Sequence, residues 1–158
     1  MSRQSKGELI DALTLELRAM RAAADQLDDA ACQALGINRT DGRCLDIVDR
    51  EGPVTAGRLA EAAGLTTAAV TAVVDRLAKA GYARRRGDPS DRRRVLVEIT
   101  PLARERAEAI WGPFDMLHSA IGHFTVEQLE LLLRFNEHAR EYNERRAAEV
   151  RALRFDAA

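Results

Sequence analysis

The residue pattern predicts a mainly helical chain of the α+β class, in which one small arginine-bearing β-hairpin interrupts a series of helices. Three observations carry this. Apolar residues recur at helical spacing along most of the length. Between Val54 and Thr100, two short helical stretches joined by a glycine-containing turn lead into a strand, a turn and a returning strand. Hydrophobic residues make up 46% of the chain but aromatics only 4%, so the core must be built from Ala, Leu, Val and Ile, a composition that leans helical. At 158 residues, one compact unit spanning 1–158 is expected.

The chain opens with a long amphipathic helix, because Leu9, Ile10, Leu13, Leu17, Met20, Ala24 and Leu27 form one stripe on a charged background. Gly36 separates it from a second helix, for which Asn38 is the N-cap and Cys44, Leu45, Ile47 and Val48 the inner side; Gly52-Pro53 ends it. Thr55 caps a short third helix through Ala63, with Leu59 facing inward. Gly64-Leu65-Thr66 then supplies a turn and a new cap. Val70, Val73, Val74 and Leu77 are the buried stripe of a fourth helix ending at Gly81, which forces Thr66, Thr67, Ala68, Thr71 and Ala72 outward. These outward residues are small and hydroxylated, as a surface entering a groove requires.

Next come a strand, Tyr82-Ala83-Arg84, a turn around Gly87-Asp88-Pro89-Ser90 and a strand, Val95 to Ile99, with six arginines on the hairpin: Arg84, Arg85, Arg86, Arg92, Arg93 and Arg94. Thr100-Pro101 is an N-cap followed by proline at the first helical position, and Gly112-Pro113 is expected to kink or interrupt the helix it opens. Thr125-Val126-Glu127-Gln128 is a capping box for a last helix bearing Leu129, Leu132, Leu133, Phe135 and Tyr142; Arg151 to Ala158 is expected to fray.

Charge is unevenly distributed. The chain carries a net −1, yet from Thr55 to Arg94 nine basic residues face four acidic ones, a surplus of five that leaves six net negative charges elsewhere. One basic face on an acidic body attracts and orients phosphate. An arginine run by itself is usually a solvated face; placed directly after a recognition-type helix, it reads as a nucleic-acid contact. The polar N-terminus lacks a signal sequence, no stretch has membrane-spanning length, and Cys32 and Cys44 form neither a disulfide framework nor a metal motif; a cytoplasmic protein away from the membrane is expected. No nucleophile elbow, phosphate loop, Rossmann glycine set or metal-binding His/Glu motif occurs, so the expectation is no enzyme and no cofactor.

Val54-Thr55-Ala56-Gly57-Arg58-Leu59-Ala60, Gly64-Leu65-Thr66, Val70-Thr71, Val74-Asp75-Arg76-Leu77, Gly81-Tyr82 and Asp91-Arg92-Arg93 through Ile99-Thr100 resemble, in order and spacing, the MarR family of winged helix-turn-helix transcription factors. The match is dense from Arg39 to Pro101. The resemblance implies a winged helix-turn-helix lobe over 38–100, with dimerisation helices at 8–30 and 101–150. It also implies a homodimer whose recognition helices lie about 34 Å apart, matching an inverted repeat in double-stranded DNA. Thr66, Thr67, Ala68 and Thr71 are then candidates for the major-groove edge, and Arg76, Arg84 and Arg86 for phosphates. At the wing tip, with Ser90, Arg92 and Arg94, the resemblance implies that Arg93 reaches the minor groove while Asp91 braces it. Asp75 is read as a carboxylate pairing with an arginine and fixing the wing to the helix.

Leu9, Leu13, Leu129, Leu133, Phe135 and Tyr142 are candidates for the dimer interface. Family members often bind a small phenolic or anionic effector that releases DNA; Arg43, Cys44, Trp111, Phe114 and His118 are the residues placed near such a pocket, the alternative for Trp111 and Phe114 being packing of the interrupted helix. Both cysteines are expected to be inert, and His118, His123 and His138 lack the clustering a zinc site needs. The expected function is a dimeric repressor released by an effector. The alternatives are a winged-helix protein adapter, against which the six arginines argue, and an architectural DNA binder.

Overall fold

A computed structural model of the chain describes residues 5–91, 93–112 and 114–153. The chain divides into two compact units, Met1–Gly112 and Pro113–Ala158. In the first, helix α1 (Lys6–Leu35) starts at a capping box in which the Ser5 hydroxyl accepts from Glu8 N and Glu8 reaches back to the Ser5 N–H. Only its last turns are packed. Ala31 is buried, whereas Leu9, Ile10, Leu13, Met20 and Leu27 are exposed.

Helix α2 (Arg39–Glu51) begins at Asn38, whose side chain accepts from Asp41 N, and buries Asp41, Cys44, Ile47 and Val48. It lies close to α1 because Gly42 has no side chain: a Cβ there would stand 2.6 Å from Cys32 Sγ. Strand β1 (Val54–Thr55) leads into α3 (Ala56–Ala63), capped by the Thr55 hydroxyl at Arg58 N. Gly64 then adopts the left-handed conformation, φ +66°, that turns the chain into α4 (Thr67–Lys79). Strands β2 (Ala83–Gly87) and β3 (Val95–Ile99) form the wing, and Thr100 caps α5 (Pro101–Trp111) with Pro101 in the first turn.

One core holds these elements together. Cys44, Ile47 and Val48 of α2 meet Leu59, Ala60 and Ala63 of α3, Val70, Val73, Val74 and Leu77 of α4, Ala83, Val97 and Ile99 of the sheet, and Ala103 of α5. Ala103 thus places the start of α5 with the winged lobe. The base of the wing is fastened three ways: Tyr82 O–H donates to Leu35 O (3.1 Å), Thr100 N–H to Tyr82 O (3.0 Å) and Thr100 O–H to Gly81 O (2.6 Å).

The structure departs from the sequence reading in three places. The hairpin is part of a three-stranded antiparallel sheet of order β1-β3-β2, in which Val54 pairs with Val97; β1 is too short to carry a periodic pattern of its own. The arginine strand starts at Ala83 rather than Tyr82 and runs on to Gly87, because the ladder from Ala83–Ile99 to Gly87–Val95 holds residues with no apolar alternation. Helix α4 stops at Lys79, ahead of the expected Gly81.

In the second unit, α6 (Phe114–Ile121) precedes α7 (Val126–Ala152), which opens with the expected reciprocal Thr125–Gln128 capping box. Gly112 terminates α5, so of the two outcomes expected there, a kink or an interruption, the interruption holds. No residue of α7 is buried; Leu132, Leu133 and Tyr142 are exposed.

Candidate nucleic-acid interface

The Thr66 hydroxyl accepts from Ala69 N at 3.2 Å, satisfying one of the free N–H groups that begin α4. Because Val70, Val73, Val74 and Leu77 take the inner side, Thr66, Thr67, Ala68, Thr71 and Ala72 are all exposed, as their spacing requires. The Thr71 hydroxyl donates to Thr67 O (3.0 Å), so its lone pairs, rather than its proton, face outward.

The wing places its arginines by ion pairing. Arg84 Nε and Arg86 Nε meet the two oxygens of Glu98 at 2.7 and 2.8 Å, so one carboxylate, only 15% exposed, holds two guanidinium groups side by side. Their spacing of two puts both on one face of β2, with Arg84 directly opposite Glu98 in register and Arg86, opposite Leu96, reaching it on the diagonal. Arg85, on the other face, donates to Asp75 at 2.7 Å and ties the wing to α4, the role expected of Asp75.

At the tip, Asp88 Oδ1 accepts from Ser90 N (2.8 Å) and Ser90 Oγ (2.6 Å), and these bonds hold the Asp88 carboxyl below the usual carboxylate range. Asp88 N–H donates to Arg94 O and Arg94 N–H to Asp91 O, closing the loop. Asp91 Oδ1 accepts from Arg93 N at 3.0 Å but stands 3.5 Å from Arg93 Nε. Asp91 therefore shapes the backbone more firmly than it grips the guanidinium, which is 92% exposed. Arg92 lies outside the described residues.

The sequence reads Arg76 as a phosphate contact. The structure gives it an internal partner as well: Nε and Nη2 meet Asp41 Oδ2 and Oδ1 at 2.9 and 2.6 Å. Asp41, 2% exposed, is the one charged residue buried among those described. Sequence reasoning missed both Asp41 and Glu98. Asp41 could have been found, since it sits three and seven residues before Cys44 and Val48 and so interrupts their apolar stripe. Glu98 falls on the outward face of an alternating strand, where a carboxylate carries no signal until the register sets it opposite Arg84.

The five residues expected near an effector pocket are placed unequally. Cys44 is 0% exposed and belongs to the core, so in this conformation it offers no surface to a ligand, while neighbouring Arg43 is exposed. Trp111 and His118 are exposed on α5 and α6, and the Phe114 side chain lies outside the described set. Burial pushes both the Cys44 and Cys32 thiols up, away from the reactive thiolate. Of the interface candidates, Leu9, Leu13, Leu133 and Tyr142 are exposed, and Leu129 and Phe135 are half-buried. Among the described residues no group of three or more His, Cys, Asp or Glu could hold a metal ion, and no helix is long and apolar enough to cross a membrane.

Comparison with known proteins agrees with this geometry. The family model described as MarR family matches residues 37–95. The chain is 37% identical over 135 residues to the uncharacterized HTH-type transcriptional regulator YcgE of Bacillus subtilis (strain 168), covering 85% of this chain and 88% of that protein. Among solved structures, Rv1404 from Mycobacterium tuberculosis aligns with a TM-score of 0.59 at 22% identity over 89% of this chain and 96% of its own. A variant of S. aureus MepR bound to an oligodeoxyribonucleotide aligns with a TM-score of 0.54 at 20% identity, covering 82% and 96%.

Proposed function

The chain belongs to the MarR family of transcriptional regulators, non-enzymatic proteins whose winged helix binds DNA, and from that premise we propose that it works as a cytoplasmic homodimeric repressor on an inverted-repeat operator. The observation that carries this reading is the exposed row Thr67, Ala68, Thr71 and Ala72 on α4 beside a wing whose arginines are held in order by Glu98, Asp75 and Asp91. Small hydroxylated residues let a helix approach base edges, and Thr71, with its proton already donated, is suited to accept from an adenine or cytosine amino group.

Arg84 and Arg86 then exchange part of their contact with Glu98 for phosphate oxygens, and Arg93 enters the adjacent minor groove, where narrow A·T-rich sequence concentrates negative potential. Ser90, Asp91 and Arg94 build or flank that tip, and Arg92 is proposed as a further DNA contact from its place in the sequence. The exposed stripes of α1 and α7 are apolar enough to need covering, and a second copy of the chain is the partner that two-fold operator binding requires. A dimer that occupies DNA represses by blocking polymerase, and a small phenolic or anionic effector releases it by changing the spacing of the two lobes.

The test is selection of random duplex DNA by the purified protein, followed by anisotropy titration of the winner across a salt series. Enrichment of an inverted repeat with half-sites about one helical turn apart is the expected result. Salt-sensitive binding with no enriched motif would replace the reading with an architectural one.

A further inference from the structure

The ion pair between α2 and α4, buried at its Asp41 end and open to solvent at Arg76, has a chemistry that the core does not need. Removing a carboxylate from water is costly, and a pair of this kind is often replaceable by apolar residues with no loss of stability. Asp41 is nevertheless satisfied at every side: Asn38 Oδ1 accepts from its N–H (2.9 Å), Asn38 Nδ2 donates to its Oδ2 (3.0 Å), and Arg76 approaches side-on through Nε and Nη2. The side-on approach consumes two of the five guanidinium N–H donors and turns the other three toward the opposite edge. That edge belongs to a side chain still 50% exposed.

Its position on the helix says what those donors can meet. Ala68, Ala72 and Arg76 are spaced by four and fall on one face of α4, all exposed. Eight residues of helix advance about 12 Å, roughly the width of the major groove. A helix that sets Ala68 against base edges therefore brings Arg76 to the phosphate wall.

We propose that Asp41, a buried residue of α2, is the positioning residue for Arg76: it locks the guanidinium so that its free edge forms a phosphate clamp, with Asn38 locking Asp41 in turn. The proposal rests on the DNA-binding reading above. It makes a prediction opposite in sign to simple charge counting. Asp41→Asn removes a negative charge near DNA and, by charge alone, should tighten binding; loss of positioning should weaken it.

The experiment is a double-mutant cycle on the selected operator, measured by anisotropy across a salt series for the wild type, Asp41→Asn, Arg76→Gln and the double variant, with thermal unfolding recorded for each. Expected are about ten-fold weaker binding for each single variant and a salt slope shallower by about 0.9, the change that follows when one phosphate is no longer neutralised. The double variant should be no weaker than Arg76→Gln alone. Tighter or unchanged binding by Asp41→Asn, additive losses, or an unaltered slope overturns the inference while leaving DNA binding intact; a wild-type protein that binds no duplex overturns the DNA-binding reading itself. Should Asp41→Asn fail to fold, Asn38→Ser carries the test at an exposed position, keeping a helix cap but removing the Nδ2 hydrogen bond. A loss of about two-fold with a smaller fall in slope is then expected, since the phosphate contact is weakened and not removed, and binding equal to wild type overturns the proposal.

Discussion

Arg93 carries the sharpest expectation for a single side chain. Its guanidinium is almost fully exposed and held only at 3.5 Å by Asp91, while its backbone is pinned by the same carboxylate, so the loop is set and the side chain is left to reach. Arg93→Ala should flatten the dependence of affinity on salt by about one unit of slope and relax the preference for A·T pairs under the wing, as a titration of operators with altered flanks will show. If the slope is unchanged, Arg93 does not meet DNA. Cys44 is a second case. Because burial raises its folded pKa above the ordinary thiol value, the unfolded chain ionises first as pH rises, so stability is fully present below about pH 9 and declines above it. A denaturation series from pH 7 to about pH 10 should show that fall, relative to Cys44→Ser. A thiol-specific aromatic disulfide should leave Cys44 unmodified at neutral pH until the chain is unfolded. Arg43 and Cys44 illustrate how adjacency in sequence misleads: on a helix, consecutive residues point about 100° apart, one into the core and one to solvent.

Helix α4, the recognition helix of the proposed reading, depends on its two ends and its inner face, and the two contributions differ in size. Leu77 is fully buried among α2, α3 and sheet residues, so Leu77→Ala should destabilise the lobe by about 2–5 kcal/mol and cost operator binding through unfolding. Thr66→Ala removes only the cap at Ala69 N, about 1 kcal/mol, with most DNA affinity kept if the hydroxyl serves the helix alone. Chemical denaturation separates the two, and equal losses would mean that the cap has a larger structural role than its geometry indicates. The caps at Asn38, Thr55, Thr66, Thr100 and Thr125 were all legible in the sequence, because each is a short-range contact with the N–H three residues on. Strand β1 was not, since two residues acquire strand character only from the partner they meet.

Across the whole chain, the exposed apolar residues of α1 and α7 are the feature that a monomer leaves unexplained. Replacing Leu13 and Leu133 together with Glu should yield a monomer by sedimentation, with the winged core still folded and affinity for a full inverted repeat reduced to that of a half-site. A dimer that survives both changes would place the interface elsewhere.

Helix positions, caps, the inward stripe of α4 and the basic wing could be read from residues alone because each follows from periods of 3.6 or 2 and from contacts within a few positions. Pairings across long separations could not. Asp41 with Arg76, thirty-five residues apart, and Glu98 with Arg84, fourteen apart, exist only because packing and strand register bring them together. Local chemistry says which surfaces are basic; the tertiary fold decides which of those cations are already spoken for, since an ion pair is a matter of a few ångströms in space and sequence distance carries no information about it.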